Sequence, residues 1–303
     1  MSTNFIDIAD HSSTALRDIL QLAHKMKSGV ISPPSLLGKT IAMIFEKSST
    51  RTRISFEVGI KQLGGTPLVL TSSDMQLSRG ETIKDTAKVL SRYVDAVMIR
   101  ARSHETILQL KENVEIPVIN GLTNLSHPCQ IMADIMTIEE EFDCIDGLTI
   151  AWFGDSNNVL KSWIDAAVKF PFSLRIASPE EYRPDKELIK KALDLGARIS
   201  LYENSLDAAS EADVLVTDVW ISMGDEEGTR LQDLKPYQVN KKVLECADNR
   251  AIFLHCLPAV RGNEVTSEVI DGSRSRVFDE AENRLHAQKA ILCHLFDDKA
   301  IQA

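Results

Sequence analysis

A cluster of hydroxyl and guanidinium side chains follows the first predicted strand, 40–45. The cluster reads Ser49-Thr50-Arg51-Thr52-Arg53, and a helix is predicted over about 52–63. Free N–H groups at a helix start favour anions, and arginine offers planar donors that fit phosphate or carboxylate oxygens. The cluster therefore predicts an anion site, with a serine-capped helix carrying solvated arginines as the alternative. A Walker P-loop is excluded because the Gly-x-x-x-x-Gly-Lys pattern is absent.

Two further groups of polar side chains follow predicted strands in the first half. Arg100 comes directly after the apolar segment 96–99. It is either a ligand of an anion or a surface arginine whose aliphatic part packs on the protein. His127-Pro128-Cys129-Gln130 precedes a helix predicted over about 131–142. His127 can donate to a carbonyl oxygen and Gln130 can bind an amide, although a lone loop histidine is more often structural.

The second half places polar residues after its own strands. Gly154 follows the strong strand signal at 148–153, but the dinucleotide pattern Gly-x-Gly-x-x-Gly is absent, which argues against a nicotinamide cofactor. The asparagines after Gly154 indicate contacts to a small ligand instead. Asp218 follows the strand predicted at 213–217, and is either the counter-ion of a cationic substrate group or a loop cap.

His255-Cys256-Leu257-Pro258 follows the strand predicted at 251–254. Adjacent side chains of an extended segment point to opposite sides. We therefore expect neither a nucleophilic His255–Cys256 dyad nor a metal ion held by the pair. Two interpretations of Cys256 stay open: a thiol that contacts the substrate, or a buried and unreactive thiol.

Strands and helices alternate along the chain, which is typical of parallel sheets in an α/β fold. The remaining strands are predicted at 67–70, 117–119, 173–177 and 198–201, and the remaining helices include 13–27, 81–91, 104–113, 158–169 and 280–297. Open parallel sheets bind ligands outside the carboxyl ends of their strands. The polar residues above all follow predicted strands, so we expect them to form the site.

The net charge of −10 argues against nucleic-acid binding, which depends on basic contacts to phosphate. The 5 cysteines are dispersed and form no Cys-x-x-Cys pair, which favours a reducing compartment. No secretory signal or membrane-spanning run is evident, so we expect a cytoplasmic protein without membrane contacts.

Together the segments resemble the aspartate/ornithine carbamoyltransferase family over nearly the whole chain and in the family's order. The motifs that carry the resemblance are Ser49-Thr50-Arg51-Thr52-Arg53, Arg100, His127-Pro128-Cys129-Gln130, Asn158, Asp218 to Gly224, His255-Cys256-Leu257-Pro258 and Ala281-Glu282-Asn283-Arg284. Ser222-Met223-Gly224 and the cysteine motif resemble the ornithine branch. The resemblance implies two α/β domains, each a parallel sheet flanked by helices, with the active site in the cleft between them. Residues 1–142 would bind carbamoyl phosphate, with 281–303 packing back on them, and 143–280 would bind ornithine.

The resemblance also implies the reaction and the role of each residue. The carbamoyl group would pass from carbamoyl phosphate to the side-chain amine of L-ornithine by direct attack, giving citrulline and phosphate without a metal or cofactor. Carbamoyl phosphate would be held by Ser49, Thr50, Arg51, Thr52, Gln76, Arg100, His127, Gln130, Cys256, Leu257 and Arg284. Ornithine would be held by Asn158, Asp218, Ser222 and Met223, and the catalytic side chains would be Arg51, Arg100, His127, Asp218 and Cys256.

The family resemblance further implies a homotrimer in which Gln76 reaches the neighbouring subunit's site, and a place in arginine biosynthesis. Three other functions stay open at this point. The chain could carbamoylate a related amine such as putrescine or an acylated ornithine, it could be an NAD-dependent oxidoreductase, or it could be a catalytically silent interaction protein. Citrulline formation from carbamoyl phosphate and ornithine separates these alternatives.

Overall fold

The computed structural model describes residues 4–31, 33–71, 73–75, 80–221 and 228–296. The chain divides into two compact units. Unit 1 comprises Met1–Met136 together with Glu282–Ala303, and unit 2 comprises Thr137–Ala281. Each unit is built around its own parallel sheet, which confirms the predicted α/β class.

Unit 1 alternates strands and helices from its first helix onward. Its elements are α1 (Ser13–Lys27), β1 (Thr40–Phe45), α2 (Thr50–Gln62), β2 (Thr66–Thr71), α3 (Ile83–Tyr93), β3 (Ala96–Arg100), α4 (His104–Asn113), β4 (Val118–Leu122) and α5 (Pro128–Phe142), the last continuing into unit 2. The four strands pair in parallel in the order β2-β1-β3-β4. The carboxyl ends of β1, β3 and β4 are therefore neighbours, and the polar segments that follow them start at one edge of the sheet.

Unit 2 repeats the alternation. Its elements are β5 (Thr149–Phe153), α6 (Asn158–Lys169), β6 (Ser173–Ala177), α7 (Lys186–Asp194), β7 (Arg198–Tyr202), α8 (Ser205–Ala209), β8 (Val214–Thr217), α9 (Arg230–Leu234), α10 (Lys241–Cys246), β9 (Ile252–His255), α11 (Ser267–Ile270) and α12 (Val277–Phe296), the last continuing into unit 1. The strand order is β7-β6-β5-β8-β9, and every pair is parallel. The carboxyl ends of β5, β8 and β9 therefore lie side by side.

Central strands are buried along their length because helices cover both faces of a parallel sheet. All residues of the inner strand β8 and of the edge strand β9 are buried, whereas the edge strands β2 and β7 have only exposed and half-buried residues. The strands that precede the site segments are thus buried strands, β4 and β9 among them at the sheet edges, and they hold the ends of these segments in place. None of the described helices combines the length and apolarity needed to cross a lipid bilayer.

Candidate functional site

The loop after β1 enters α2 through a serine cap. Ser49 has an extended backbone, and its hydroxyl accepts a hydrogen bond from the Thr52 N–H at 3.3 Å. Thr50 and Arg51 occupy the exposed first turn, where backbone N–H groups lack helical acceptors. Within the described part of the chain, Arg51 makes no hydrogen bond or ion pair, so its guanidinium group is available to an incoming anion. The predicted ligand Gln76 lies outside the described residues.

Two arginines from distant parts of unit 1 converge on Thr52. Arg100, at the end of β3, donates to Thr52 Oγ1 at 3.2 Å, and Arg284 of α12 donates to the same oxygen at 3.3 Å. Thr52 and Arg284 are buried, with 1% and 5% of their surfaces exposed. In these contacts two positively charged guanidinium groups face one neutral hydroxyl. The arrangement favours a small anion.

The start of α5 brings His127 and Gln130 to the same arginine. Arg284 Nη1 donates to Gln130 Oε1 at 2.5 Å and lies 3.5 Å from His127 Nε2. Gln130 Nε2 donates to Asp134 at 2.7 Å, which fixes the amide so that its oxygen faces Arg284. The structure therefore brings together Thr52, Arg100, His127, Gln130 and Arg284, as the family resemblance implies.

His127 is a neutral imidazole in this setting. Burial lowers its pKa well below the ordinary value of 6.5, and the positive charges of Arg284 and Arg100 lower it further. A neutral imidazole carries one N–H and can still donate to a carbonyl oxygen. Burial raises the pKa of the neighbouring Cys129 thiol to about 12, which makes this residue a poor nucleophile.

In unit 2 the carboxylate of Asp218 lies at the end of β8 and receives donors from three segments. Asn157 Nδ2 donates to one oxygen at 2.8 Å, while the Val219 N–H and the Cys256 thiol donate to the other at 2.8 and 3.1 Å. Asp218 is 7% exposed, so its carboxyl group is largely shielded from water. The cluster unites the loops after β5, β8 and β9, and it suits a cationic or amine-bearing ligand.

Asn157 is one of the two asparagines after Gly154 for which the sequence predicts contacts to a small ligand, whereas the family resemblance assigns only Asn158 to ornithine. Asn157 Oδ1 caps α6 by accepting from the N–H groups of Val159 and Leu160, while its Nδ2 holds Asp218. The predicted ligand Asn158 is the first residue of α6. An asparagine directly before a helix is a capping signal, and that signal could have identified the capping role of Asn157.

The turn from β5 to Asn157 depends on Gly154. Its φ of 129° is rarely adopted by residues with a side chain, and a Cβ there would lie 3.2 Å from Trp220 Nε1. Glycine therefore lets β5 end close to the segment that carries Asp218. The predicted ligands Ser222 and Met223 lie outside the described residues.

The expectation that the pair holds no metal ion stays a prediction, and both imidazole nitrogens of His255 have hydrogen-bond partners in the protein. The opposite-side geometry behind that expectation is nevertheless wrong, since one ligand atom from each of Asp218, His255 and Cys256 lies within 4.8 Å of the others. The reason is that the extended strand ends at His255 and the backbone turns at Leu257, whose φ is 56°. The Leu257 N–H then donates to His255 Nδ1 at 2.9 Å, so the imidazole lies back over its own turn. The thiol donates to Asp218 in this arrangement.

Comparison with known proteins places both halves of the chain. Residues 3–140 match the family profile described as the carbamoyl-P binding domain of aspartate/ornithine carbamoyltransferase. Residues 146–295 match the profile described as its Asp/Orn binding domain. The chain belongs to the aspartate/ornithine carbamoyltransferase family. Within this family, the second profile includes Arg284, although that residue lies in unit 1 of the fold.

Individual members of this carbamoyltransferase family match along the whole chain. The ornithine carbamoyltransferase of Nitrobacter winogradskyi is 54% identical over 294 residues, covering 95% of this chain and 96% of the relative. The solved ornithine carbamoyltransferase from Pyrococcus furiosus superposes with a TM-score of 0.93 at 45% identity and 97% coverage of both chains. The anabolic ornithine carbamoyltransferase from Campylobacter jejuni gives 0.91 at 40% identity, covering 96% of this chain and 98% of that one.

Proposed function

We propose that this protein is an ornithine carbamoyltransferase, which converts carbamoyl phosphate and L-ornithine into L-citrulline and phosphate. The observation that carries the proposal is the convergence of Arg100 and Arg284 on Thr52 at the start of α2, in a chain of this family. A phosphorylated substrate needs such a concentration of positive charge, although the chain as a whole is acidic. The high identity to relatives named ornithine carbamoyltransferase supports the choice of amine.

Unit 1 is the proposed site for carbamoyl phosphate. Its phosphate would lie at the N-terminus of α2, against the first-turn N–H groups, the hydroxyls of Ser49, Thr50 and Thr52, and the guanidinium of Arg51. Phosphate oxygens would compete for the donors that Arg100 and Arg284 now direct at Thr52. Charge-assisted contacts of this kind are stronger than neutral ones, which favours the exchange.

The carbonyl end of the substrate would lie toward His127 and Gln130. The neutral imidazole of His127 can donate to the carbonyl oxygen, where negative charge develops as the carbonyl carbon becomes tetrahedral. Gln130 and the backbone at Cys256 and Leu257 would bind the carbamoyl NH2 group. These groups contribute by orientation and electrostatics, because none of them needs to become covalently attached to the substrate.

Unit 2 is the proposed site for ornithine. Asp218, held by Asn157 and Cys256, would face the side-chain amine, and Asn158, Ser222 and Met223 would bind the rest of the molecule. The neutral amine attacks the carbonyl carbon and forms the new N–C bond. The C–O bond to phosphate then breaks with its electron pair on phosphate, and the departing phosphate takes up the proton that the amine nitrogen loses. The products are citrulline and inorganic phosphate, with no covalent enzyme intermediate.

A homotrimer with Gln76 reaching the neighbouring site is proposed on the family resemblance. Unit 1 offers apolar side chains for such contacts: Ile54 on α2 is 55% exposed, Leu68 on the edge strand β2 is 43% exposed, and Tyr93 at the end of α3 is 76% exposed. Exposed apolar groups near an unpaired strand edge are typical of protein interfaces. A cytoplasmic location and a role in arginine biosynthesis belong to the same proposal, and the 5 free cysteines are consistent with a reducing compartment.

The test is the rate of product formation by the purified protein with carbamoyl phosphate and a panel of amines. Citrulline formation from L-ornithine at a rate well above that for putrescine, acylated ornithine or L-aspartate supports the proposal. A preference for putrescine or an acylated ornithine would contradict it and assign the related-amine function. Consumption of NADH without carbamoyl transfer would point to the oxidoreductase alternative.

A further inference from the structure

A buried acid–imidazole pair lies behind the turn that follows β9. His255 Nε2 lies 3.3 Å from Glu264 Oε1, and both residues are 0% exposed. Neither side chain is among the groups that the family resemblance assigns to a substrate. The pair therefore calls for a physical explanation of its own, because fully buried ionisable residues are uncommon.

The pair holds both ends of the 257–260 turn. The Leu257 N–H donates to His255 Nδ1 at 2.9 Å, and the Val260 N–H donates to Glu264 Oε1 at 2.5 Å. Pro258, between them, has no N–H group. A chain of hydrogen bonds thus runs from the Leu257 N–H through the side chains of His255 and Glu264 to the Val260 N–H. This chain fixes the backbone of Cys256 and Leu257.

These hydrogen bonds determine which nitrogen of the His255 imidazole carries the proton. Nδ1 accepts from Leu257, so it must present a lone pair, and the proton of the neutral ring is on Nε2. Nε2–H then needs an acceptor, and Glu264 Oε1 is the acceptor that the fold provides. Without Glu264, the ring can carry its proton on Nδ1 instead. The Nδ1–H and the Leu257 N–H would then be two donors facing each other, and their hydrogen bond would be lost.

Backbone hydrogen bonds already hold the segment that carries Glu264. The Val239 N–H donates to the Glu264 carbonyl oxygen at 2.9 Å, and the Asn263 N–H donates to the Val260 carbonyl oxygen at 2.9 Å. The carboxylate itself is expected to cost folding free energy, since its Oε2 is buried and has no hydrogen-bond partner among the described residues. A buried polar atom left without a partner in a native fold points to a role beyond packing.

We propose that Glu264 is a positioning residue for carbamoyl transfer: through His255 it holds the Cys256–Leu257 backbone and the Cys256 thiol in register with Asp218. The inference rests on the proposed function, in which that backbone binds the carbamoyl NH2 group. Cys256 Sγ already lies 3.1 Å from Asp218, so a shift of the turn displaces contacts to both substrates at once. Misplacement by about 1 Å can lower a rate by about 10²-fold without abolishing binding.

The experiment compares Glu264→Met, which removes the acceptor, with Glu264→Gln, which retains an amide oxygen at the same reach. We expect Glu264→Met to lower kcat by about 10²-fold with KM values for both substrates within about 3-fold, and Glu264→Gln to stay within about 3-fold of the parent kcat. Glu268→Met is the matched control, because Glu268 is an exposed carboxylate on α11 paired with Lys241 at the surface. Equal losses in the Met and Gln variants, or an unchanged kcat in Glu264→Met, would overturn the proposal.

A double-mutant cycle tests the route through His255. His255→Asn keeps an oxygen near the position of Nδ1 but breaks the link to Glu264, so Glu264→Met should add at most about a 3-fold loss in that background. Multiplicative losses would show that Glu264 does not act through the imidazole.

A proton–nitrogen NMR correlation on the unaltered protein keeps the proposal testable if Glu264→Met does not fold. The signal missing from His255→Asn identifies the ring, and it should show the Nε2–H tautomer in the parent and in Glu264→Gln. A proton on Nδ1 would overturn the inference. If the parent protein forms no citrulline, the proposed function fails. The observed tautomer of His255 still shows whether Glu264 accepts the Nε2 proton.

Discussion

Arg284 donates to Thr52 Oγ1 at 3.3 Å, although 232 positions of sequence separate the two residues. The contact ties the helix α12 to the first turn of α2. Arg100 donates to the same oxygen, so a single buried hydroxyl organises two positive charges before any ligand arrives. Such preorganisation lowers the reorganisation that binding requires, and this is how we interpret the unit 1 site.

Arg51→Ala should separate catalysis from folding. Arg51 is exposed and makes no hydrogen bond or ion pair among the described residues, so the free energy of unfolding should change by less than about 0.5 kcal/mol. Loss of a donor to developing charge should nevertheless lower kcat by about 10²–10³-fold. Arg53→Ala is the control, since Arg53 lies on the same helix in a surface pair with Glu57. Near-normal turnover in Arg51→Ala would contradict the assignment of the anion site.

The pKa of His127 predicts how stability depends on pH. Its pKa in the folded protein is lowered, mainly by burial, whereas the unfolded chain has the ordinary value near 6.5. Below about pH 6.5 the unfolded state binds a proton that the folded state does not, so acidification decreases the free energy of unfolding, by at most about 1.4 kcal/mol per pH unit for this group. The lowered pKa of His286 acts in the same direction.

Urea denaturation of the parent and His127→Asn at several pH values isolates that contribution. The variant should lose stability less steeply between pH 6.5 and pH 5, because one proton-linked group has been removed. Equal slopes in the two proteins would mean that folding does not lower the pKa of His127.

The boundaries of the elements show what apolar periodicity can and cannot predict. The predicted ranges 104–113 and 158–169 coincide with α4 and α6. By contrast, α2 begins at Thr50 and α5 at Pro128, each earlier than the predicted starts at 52 and 131. The first turns of α2 and α5 carry the site residues, whose polar side chains lack the apolar spacing on which such predictions depend.

The candidate site was predictable in its residue types but not in all its contacts. Placement of Arg100 and Asp218 after strands follows from the general rule for parallel sheets. The meeting of Arg284 with Thr52, and of Cys256 with Asp218, depends on long-range packing that no local pattern contains. For Asn157 the sequence predicts a ligand contact but not the double role seen in the structure, in which one side chain caps α6 and donates to Asp218.

Asn157→Asp should weaken ornithine use while keeping the helix cap. Aspartate can still accept from the first N–H groups of α6, but it replaces the Nδ2 donor with a second carboxylate facing Asp218. We expect the KM for ornithine to rise by about 10-fold or more, since each 1.4 kcal/mol of lost interaction corresponds to a factor of 10. Asn240→Ala, which removes the cap of α10, is the control for helix destabilisation alone. An unchanged ornithine KM in Asn157→Asp would show that Asp218 does not contact the amine.

The ornithine rate should rise with pH. An alkyl ammonium has a pKa near 10.4, so few ornithine molecules carry a neutral amine at pH 7. We expect kcat/KM for ornithine to increase from pH 6 to above pH 8, with a log–log slope of about 1 while deprotonation limits the reaction. Asp218→Asn should lower this parameter far more than it lowers carbamoyl phosphate affinity measured by calorimetry. A flat profile, or an Asp218→Asn protein that first loses carbamoyl phosphate, would indicate that the amine site is misassigned.

The most direct measurement is a single turnover with carbamoyl phosphate labelled at its carbonyl carbon and the purified protein in excess. In the presence of L-ornithine, the label should pass into citrulline, with one phosphate released for each citrulline and none of the label retained on the denatured protein. Without ornithine, the labelled substrate should remain largely intact. Label attached to the protein, or phosphate release that does not depend on ornithine, would contradict direct transfer between the two substrates.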